Sequence, residues 1–531
     1  MRLRFARLFT KDSKLRGDYA MLSINRRQFA CLGLWGLAGG AWSLPRFLLA
    51  AEAADGFDPD RPLLVTGRKL RVQPVFMHTT FQRREATSWR SWSAISTPEA
   101  AAEERQRIER ELATLSKECD FPLEILPLQT VTTADEATKV HAVDYDVVLV
   151  YPATGSRNVL LACFAPPPSK DTLIFARHQS GPLYYWYEAL STSFLKKGDP
   201  EDYAECGADN HGPVTVNDVV IDDYAEVRWR LRALYAIKNF VGHRIVALGG
   251  AQGKYDATAP QVAKEKYRFE IVDASYDDLA KRLENLRADA GFTALAEKWT
   301  DRYVAIPGTS LETGRPFVVG SFALYRIFKD WMREHGATSI TINQCMGTII
   351  RTSQTTACLA LSWLNDEGYL AFCESDFVII PPGVLLHYVT GRPVFLHNST
   401  FPHGGLVTCA HCTAPRRLDG KRYEPAKIVT HYESDFGAAP KVEMPIGRQV
   451  TFLDPEYATG RWLGFTGVIR ANPFHEICRT QQDVAIDGDW KKLIREARDS
   501  HWMMAYDNHL APARYAARKL GIRWVDVSEP A

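Results

Sequence analysis

Between about residues 69 and 390 the chain alternates short apolar, β-branched runs with longer amphipathic ones, and that rhythm restricts the fold more than any single motif. Strands are predicted at 69–76, 123–127, 146–151 and 172–176, with a charged amphipathic helix at 98–117 and an aromatic-rich helix at 182–194. A polar, acidic stretch at 196–217 breaks the pattern and reads as a linker. The rhythm then restarts, with helices predicted at 226–240, 276–288, 321–335 and 353–365 and strands at 244–248, 269–272, 339–343 and 370–373. Strands separated by helix-length crossovers pair in parallel and carry helices on both faces, so two successive α/β units are expected. After about residue 390 the texture changes to short β-like segments punctuated by Gly and Pro. The chain closes on a helix at 490–497 and a β-α-β run at 502–506, 512–520 and 522–527.

The start of the chain says where the protein works. Ser23-Ile24-Asn25-Arg26-Arg27-Gln28-Phe29 precedes an apolar run from Ala30 to Leu44, and Ala51-Glu52-Ala53 offers a small-x-small cleavage site. Paired arginines before a short, Gly-rich apolar core read as a twin-arginine export signal over 1–54, recognised by the twin-arginine machinery and removed on a periplasmic or otherwise exported protein. Met21 is an alternative start. The alternative of an uncleaved anchor needs about 20 apolar residues, more than this run supplies. No later stretch suits a bilayer, so no stable membrane span is expected after cleavage.

Of 64 Lys+Arg and 63 Asp+Glu, nine and three fall within 1–53, which leaves 55 and 60 and a mature net charge of about −5. A nucleic-acid partner would want a basic face, so none is expected. Ten cysteines, one of them Cys31 in the signal, leave an odd and scattered nine, unlike a disulfide framework. Cys409-Ala410-His411-Cys412 forms a CxxC. It is a redox pair, half a zinc site, or two strand cysteines facing an apolar core with His411 between them on the other side.

Residues 340–412 hold the densest chemistry. A strand at 370–373 runs into Glu374 and Asp376, and a second at 393–397 ends on Asn398, followed by His403 and His411. Oxygen and imidazole donors at strand ends suit metal-assisted work on a polyol. In a flat strand Glu374 and Asp376 would face the same side and could share one ion; alternatively Asp376 is an N-cap or turn residue before Pro381 and Pro382. His397, next to Asn398, reads as structural. Gly249-Gly250-Ala251-Gln252-Gly253 after a strand invites a dinucleotide reading, but its spacing is not G-x-G-x-x-G and 254–260 reads as loop.

Cys358-Leu359-Ala360-Leu361-Ser362, Asn365-Asp366-Glu367-Gly368, Cys373-Glu374-Ser375-Asp376 and Thr390-Gly391-Arg392-Pro393 together resemble the L-fucose and L-arabinose isomerase family. The resemblance covers about 340–412 and 498–525 and is only a fold rhythm over 66–335. It implies two Rossmann-like α/β units and a β-rich, barrel-like C-terminal domain, divided here as 55–225, 226–390 and 391–531. It places the family's metal-binding Glu on Glu374, its Asp ligand on Asn398 and its His ligand on His501. Asn398 can offer a neutral oxygen but cannot act as a base. Asp376, His411 and His403 are therefore candidates to complete the site.

Aldose–ketose isomerisation passes a proton between adjacent carbons through an enediol, with a divalent ion on two sugar oxygens and a carboxylate as proton carrier. The expected set is thus Glu374 and Asp376 for catalysis and Glu374, Asn398, His501 and His411 for metal. Mn²⁺ is favoured, with Mg²⁺ or Zn²⁺ as alternatives. Asn398 and Trp502 are the expected substrate contacts, the indole by stacking on a sugar face. A small carbohydrate is the expected substrate, and a homo-oligomer is common in that family. Two other readings stay open: a non-catalytic extracytoplasmic carbohydrate-binding protein, and a nucleotide-dependent sugar oxidoreductase.

Overall fold

Val147–Pro152 buries all six of its residues, as a central strand covered on both faces must. In the computed structural model, which describes residues 56–165, 170–191, 195, 214–456, 460–497 and 499–528, this strand is β4 of a parallel sheet. Its companions are β1 (Leu70–Met77), β2 (Leu123–Ile125), β3 (Gln129–Val131), β5 (Asp171–Ala176) and β6 (Val219–Ile221), in the order β2-β1-β4-β5-β6 with β3 also on β1. The export signal lies outside the described residues, as does most of the 196–217 linker. Residues 54–531 form one compact unit. Among the described residues no helix is long and apolar enough to cross a membrane.

A second parallel sheet holds β7 (Arg244–Leu248), β8 (Glu270–Ala274), β10 (Ser339–Ile342) and β11 (Leu370–Phe372), in the order β11-β10-β7-β8; β9 (Thr309–Leu311) pairs elsewhere. The chain leaves β7 on one side to form β8 and returns on the other as β10. The reversal between β7 and β10 is a topological switch, and a crevice opens there beyond the carboxyl ends of the strands.

The C-terminal strands are β12 (Phe395–Ser399), β13 (Leu406–His411), β14 (Ala426–His431), β15 (Phe436–Val442), β16 (Gln449–Glu456), β17 (Arg461–Ala471), β18 (Thr480–Ile486), β19 (His501–Tyr506) and β20 (Arg523–Asp526). Six of them close an antiparallel barrel, β16-β19-β12-β13-β18-β17 and back to β16, while β20 lies parallel on β17. Phe452 stacks on Phe465 with centroids 4.6 Å apart, and Trp502 meets Phe465 edge-on at 5.4 Å. Such rings fill the lumen, so truncating one to Ala would cost about 3–5 kcal/mol. β14 and β15 form a hairpin that takes β9 as a third, parallel strand.

Several elements depart from expectation. The 182–194 helix shrinks to Tyr185–Ala189, which no side-chain cap supports. The expected 353–365 helix divides into Thr348–Ser353 and Cys358–Glu367, because Gln354 turns left-handed at φ 56°. The 254–260 loop gives way at Ala259 to a short helix ending at Glu265, with a proline in its first turn. Ile380–Thr390 is a buried helix that carries Pro381 and Pro382 at its start, where a missing N–H costs nothing.

Candidate functional site

Strand β11 stops at Phe372, and the next residues do not stay flat: Glu374 and Ser375 both take left-handed backbone angles, φ 63° and 50°. For residues with a Cβ such a turn costs on the order of 1–3 kcal/mol each and persists only if its surroundings impose it. Here the Gly249–Gly253 loop after β7 imposes it. The Gln252 side-chain amide donates to the Glu374 carbonyl at 2.7 Å, and its backbone N–H donates to the Ser375 carbonyl at 3.1 Å. The Ser375 hydroxyl donates to the Gly250 carbonyl at 2.8 Å. The glycine loop therefore spends these polar groups on bracing the turn.

The turn separates the two carboxylates, so the expectation that Glu374 and Asp376 converge on one ion is corrected. Asp376 is fully buried. One of its oxygens accepts from the backbone N–H groups of Lys254 at 2.9 Å and Val378 at 3.1 Å. The other accepts from Nδ1 of His501 at 2.7 Å. Asp376 is thus a turn residue and a positioning residue: it holds the proton on Nδ1 and leaves Nε2 of His501 as the bare nitrogen, a tautomer inferred from the bonding.

That Nε2 lies 3.5 Å from Oε2 of Glu374 and 3.1 Å from Nζ of Lys254. On the other side of Glu374, Nε2 of His411 lies 3.5 Å from Oε1, while Nδ1 of His411 bonds the Thr413 hydroxyl at 3.1 Å. The Lys254 ammonium completes the ring at 3.0 Å from Glu374. Burial alone would raise the Glu374 carboxyl, but the His411 hydrogen bond, the two imidazoles beside it and the Lys254 ammonium outweigh it and hold it well below the usual range. Burial likewise opposes the charge on Lys254, and the Glu374 carboxylate more than restores it. The pair is an ammonium and a carboxylate.

Lys254, Glu374 and His411 line a cavity of about 120 Å³ at the carboxyl edge of the second sheet, with Asn398, Cys345, Cys373, Cys412 and His431 also in its wall. Asn398 stands directly across the ladder from His501, which sets both side chains on one face. Its Oδ1 is buried without a partner. Lys254 and Gln252 were missed by the sequence reasoning; the only pointer to them was the glycine loop in which they sit.

Other expected residues fall outside this group. Trp502 is 1 % exposed and turned into the barrel, 6.2 Å from the His397 ring, so neither of its faces is open to a sugar. His397 is fully buried beside it, and burial pulls its imidazole down to about 3. His403 is exposed on a tight turn against Leu406. The CxxC is no pair: Cys409 joins the barrel core while Cys412 lies past the strand against Cys358 and Cys478.

The donors suit a divalent cation. Two ligands on one ion with bonds of about 2.1 Å sit roughly 3.0–3.5 Å apart, and the Glu374–imidazole separations of 3.5 Å match that spacing. The orphaned Asn398 oxygen and the Lys254 ammonium, a cation already standing against Glu374 and His501, point the same way. Among the described residues no group of three or more His, Cys, Asp or Glu side chains is placed to hold a metal ion. Against known proteins, the chain matches no family model and no curated sequence.

Proposed function

We propose that this protein is an exported, sugar-isomerase-like enzyme that moves a proton between adjacent carbons of a small free carbohydrate. The observation that carries the reading is the Glu374 carboxylate clasped between two imidazole Nε2 atoms at 3.5 Å, one of them fixed from behind by Asp376. A carboxylate behind a ligand imidazole is the usual way a protein sets the tautomer of a metal-binding histidine. Glu374, His411, His501 and Asn398 would hold the ion, Mn²⁺ by preference and Mg²⁺ or Zn²⁺ otherwise. Bound there, a divalent cation supplies Lewis-acid stabilisation of charge on sugar oxygens.

The chain's own groups do the rest. Glu374, the cavity carboxylate held between the two imidazoles, can take a proton from one carbon and return it to the next, leaving the sugar's formula unchanged. Lys254 offers an ammonium that can donate to a sugar oxygen as negative charge develops. Asp376 orients, and does not touch substrate. Export by the twin-arginine route, which carries folded proteins, suits a site loaded before translocation. Assembly into a homo-oligomer belongs to the same proposal.

A second reading is favoured by one observation. Because the Lys254 ammonium already neutralises Glu374, the same cavity could hold a carbohydrate without a metal and without turnover.

Elemental analysis of the purified protein before and after chelation, with a panel of free aldoses and ketoses, separates the two. The enzyme reading expects stoichiometric metal, turnover lost on chelation, and loss of both in Glu374→Gln. Sugar binding indifferent to chelator, no turnover, and no metal in the wild type would overturn it in favour of the second reading.

A further inference from the structure

Two carboxylates line the cavity at the edge of the second sheet, Glu374 and Glu433. Glu433 sits in the turn 432–435 between β14 and β15, which closes on left-handed Asp435, φ 48°, whose N–H donates to the His431 carbonyl at 3.0 Å. Thr356 holds this hairpin in place. Its hydroxyl donates to the Ala438 carbonyl at 3.0 Å and accepts from the Ala438 N–H at 3.1 Å. Gly437 is needed there, because a Cβ would lie 2.5 Å from the Thr356 hydroxyl oxygen. Thr356 itself lines the cavity, so the turn that carries Glu433 is fastened to the cavity wall.

A Glu in a hairpin turn is ordinarily a solvated surface charge. Glu433 is exposed, yet it faces the candidate site, and it makes no hydrogen bond or ion pair with any described residue. Glu374, by contrast, is half-buried and engaged by His411, His501 and Lys254. Aldose–ketose isomerisation moves two protons, one from carbon to carbon and one from oxygen to oxygen. Glu374 can serve the first. Lys254 is a poor carrier for the second: burial loosens its proton, but the Glu374 carboxylate more than restores the hold. Its ammonium can hydrogen-bond a sugar oxygen while keeping its proton.

We propose that Glu433 is a second catalytic carboxylate, the carrier of the hydroxyl proton, a role that rests on the isomerase reading. As Glu374 takes the proton from C2 of the aldose, the C–H electron pair becomes the C1=C2 bond and the carbonyl pair moves to O1. Glu433 accepts the O2 hydroxyl proton and delivers it to O1. The pair left on O2 forms the C2 carbonyl, while the C1=C2 pair takes the proton back from Glu374 at C1. Both carboxylates end as they began. No electron leaves the sugar, and no co-reactant is needed.

The test compares full-length wild type, Glu433→Gln and Glu433→Asp, each supplied with Mn²⁺, on a panel of free aldoses in deuterium oxide. Glu433→Gln should lose about 100-fold in kcat with little change in KM. It should still place deuterium on C2 of the unconverted aldose, because Glu374 keeps working while the oxygen proton has lost its carrier. Glu433→Asp, which keeps a carboxylate, should recover part of the rate. The urea midpoints of all three should agree, since the substituted side chain is exposed and unpaired. Wild-type kcat in Glu433→Gln would overturn the role and leave the isomerase reading standing. So would a Glu433→Gln protein that loses turnover and C2 exchange together, which a structural lesion would also produce. A wild type that neither converts nor deuterates any aldose would instead sink the isomerase reading itself, and this role with it.

Discussion

Replacing Asp376 by Asn isolates the link between a buried hydrogen bond and the chemistry in front of it. The carboxylate accepts three bonds: from Lys254 N–H at 2.9 Å, Val378 N–H at 3.1 Å and His501 Nδ1 at 2.7 Å. An asparagine oxygen can keep both backbone bonds. Its amide nitrogen would then face Nδ1, and because that nitrogen can only donate, the imidazole must move its proton to Nε2. The atom facing Glu374 and Lys254 becomes an N–H, unable to bind a cation. Carboxylates behind metal-bound histidines are commonly worth 10–100-fold in affinity or activity, about 1.4–2.7 kcal/mol. Folding should suffer less, by roughly 1–2 kcal/mol, since one hydrogen bond is altered. Asp376→Ala instead orphans three buried donors and should cost about 3–5 kcal/mol of stability. Metal affinity by calorimetry, urea unfolding, and ¹⁵N chemical shifts of labelled histidines would read the three quantities. An Asp376→Asn protein with wild-type metal affinity, or with His501 still protonated on Nδ1, would refute the reasoning.

Three further outcomes are expected. Burial raises Asp366 from its ordinary 3.8 to about 7, against the Arg416 and Arg417 backbone N–H groups it accepts. Its contribution is fully present below the unfolded value and is lost as pH rises through 7, so between pH 5 and 7 wild type should lose about 2–3 kcal/mol more stability than Asp366→Asn; parallel urea curves at the two pH values check this. Gly368→Ala should cost at least about 2 kcal/mol by thermal or urea unfolding, because φ is 101° and the new Cβ would lie 2.5 Å from the Leu64 carbonyl oxygen. Lys519→Ala should cost about 3–5 kcal/mol in the same assay, since it strips buried Asp218, 2.8 Å away, and Asp171, 3.3 Å away, of their cation.

The fold was legible where hydrophobic period alone decides it. The strand Arg244–Leu248 and the helix Tyr276–Ala288 lie at the bounds expected from their patterns. The Ile380–Thr390 helix was hidden, because its apolar residues run all round and two prolines open it. At the site, local order misled in a specific way. Treating 370–376 as one flat strand put Glu374 and Asp376 on the same side, and only the left-handed turn at Glu374 and Ser375 parts them. Trp502 follows His501 directly on a strand, so the two must face opposite ways. With His501 turned to Glu374, Trp502 had to enter the barrel.

The sequence by itself determined which residue types end the strands, and with them the oxygen and imidazole character of the candidate site. It also set the βαβ order that makes parallel sheets, since the crossover length leaves no other pairing. Which groups meet was decided only by the tertiary structure. Lys254 reaches Glu374 from 120 residues away, and five cysteines from five segments gather in one cavity. Such meetings depend on where the barrel closes over the sheet edge. No local propensity encodes that position; it is set by the apolar faces that the sheet and the barrel bury against each other.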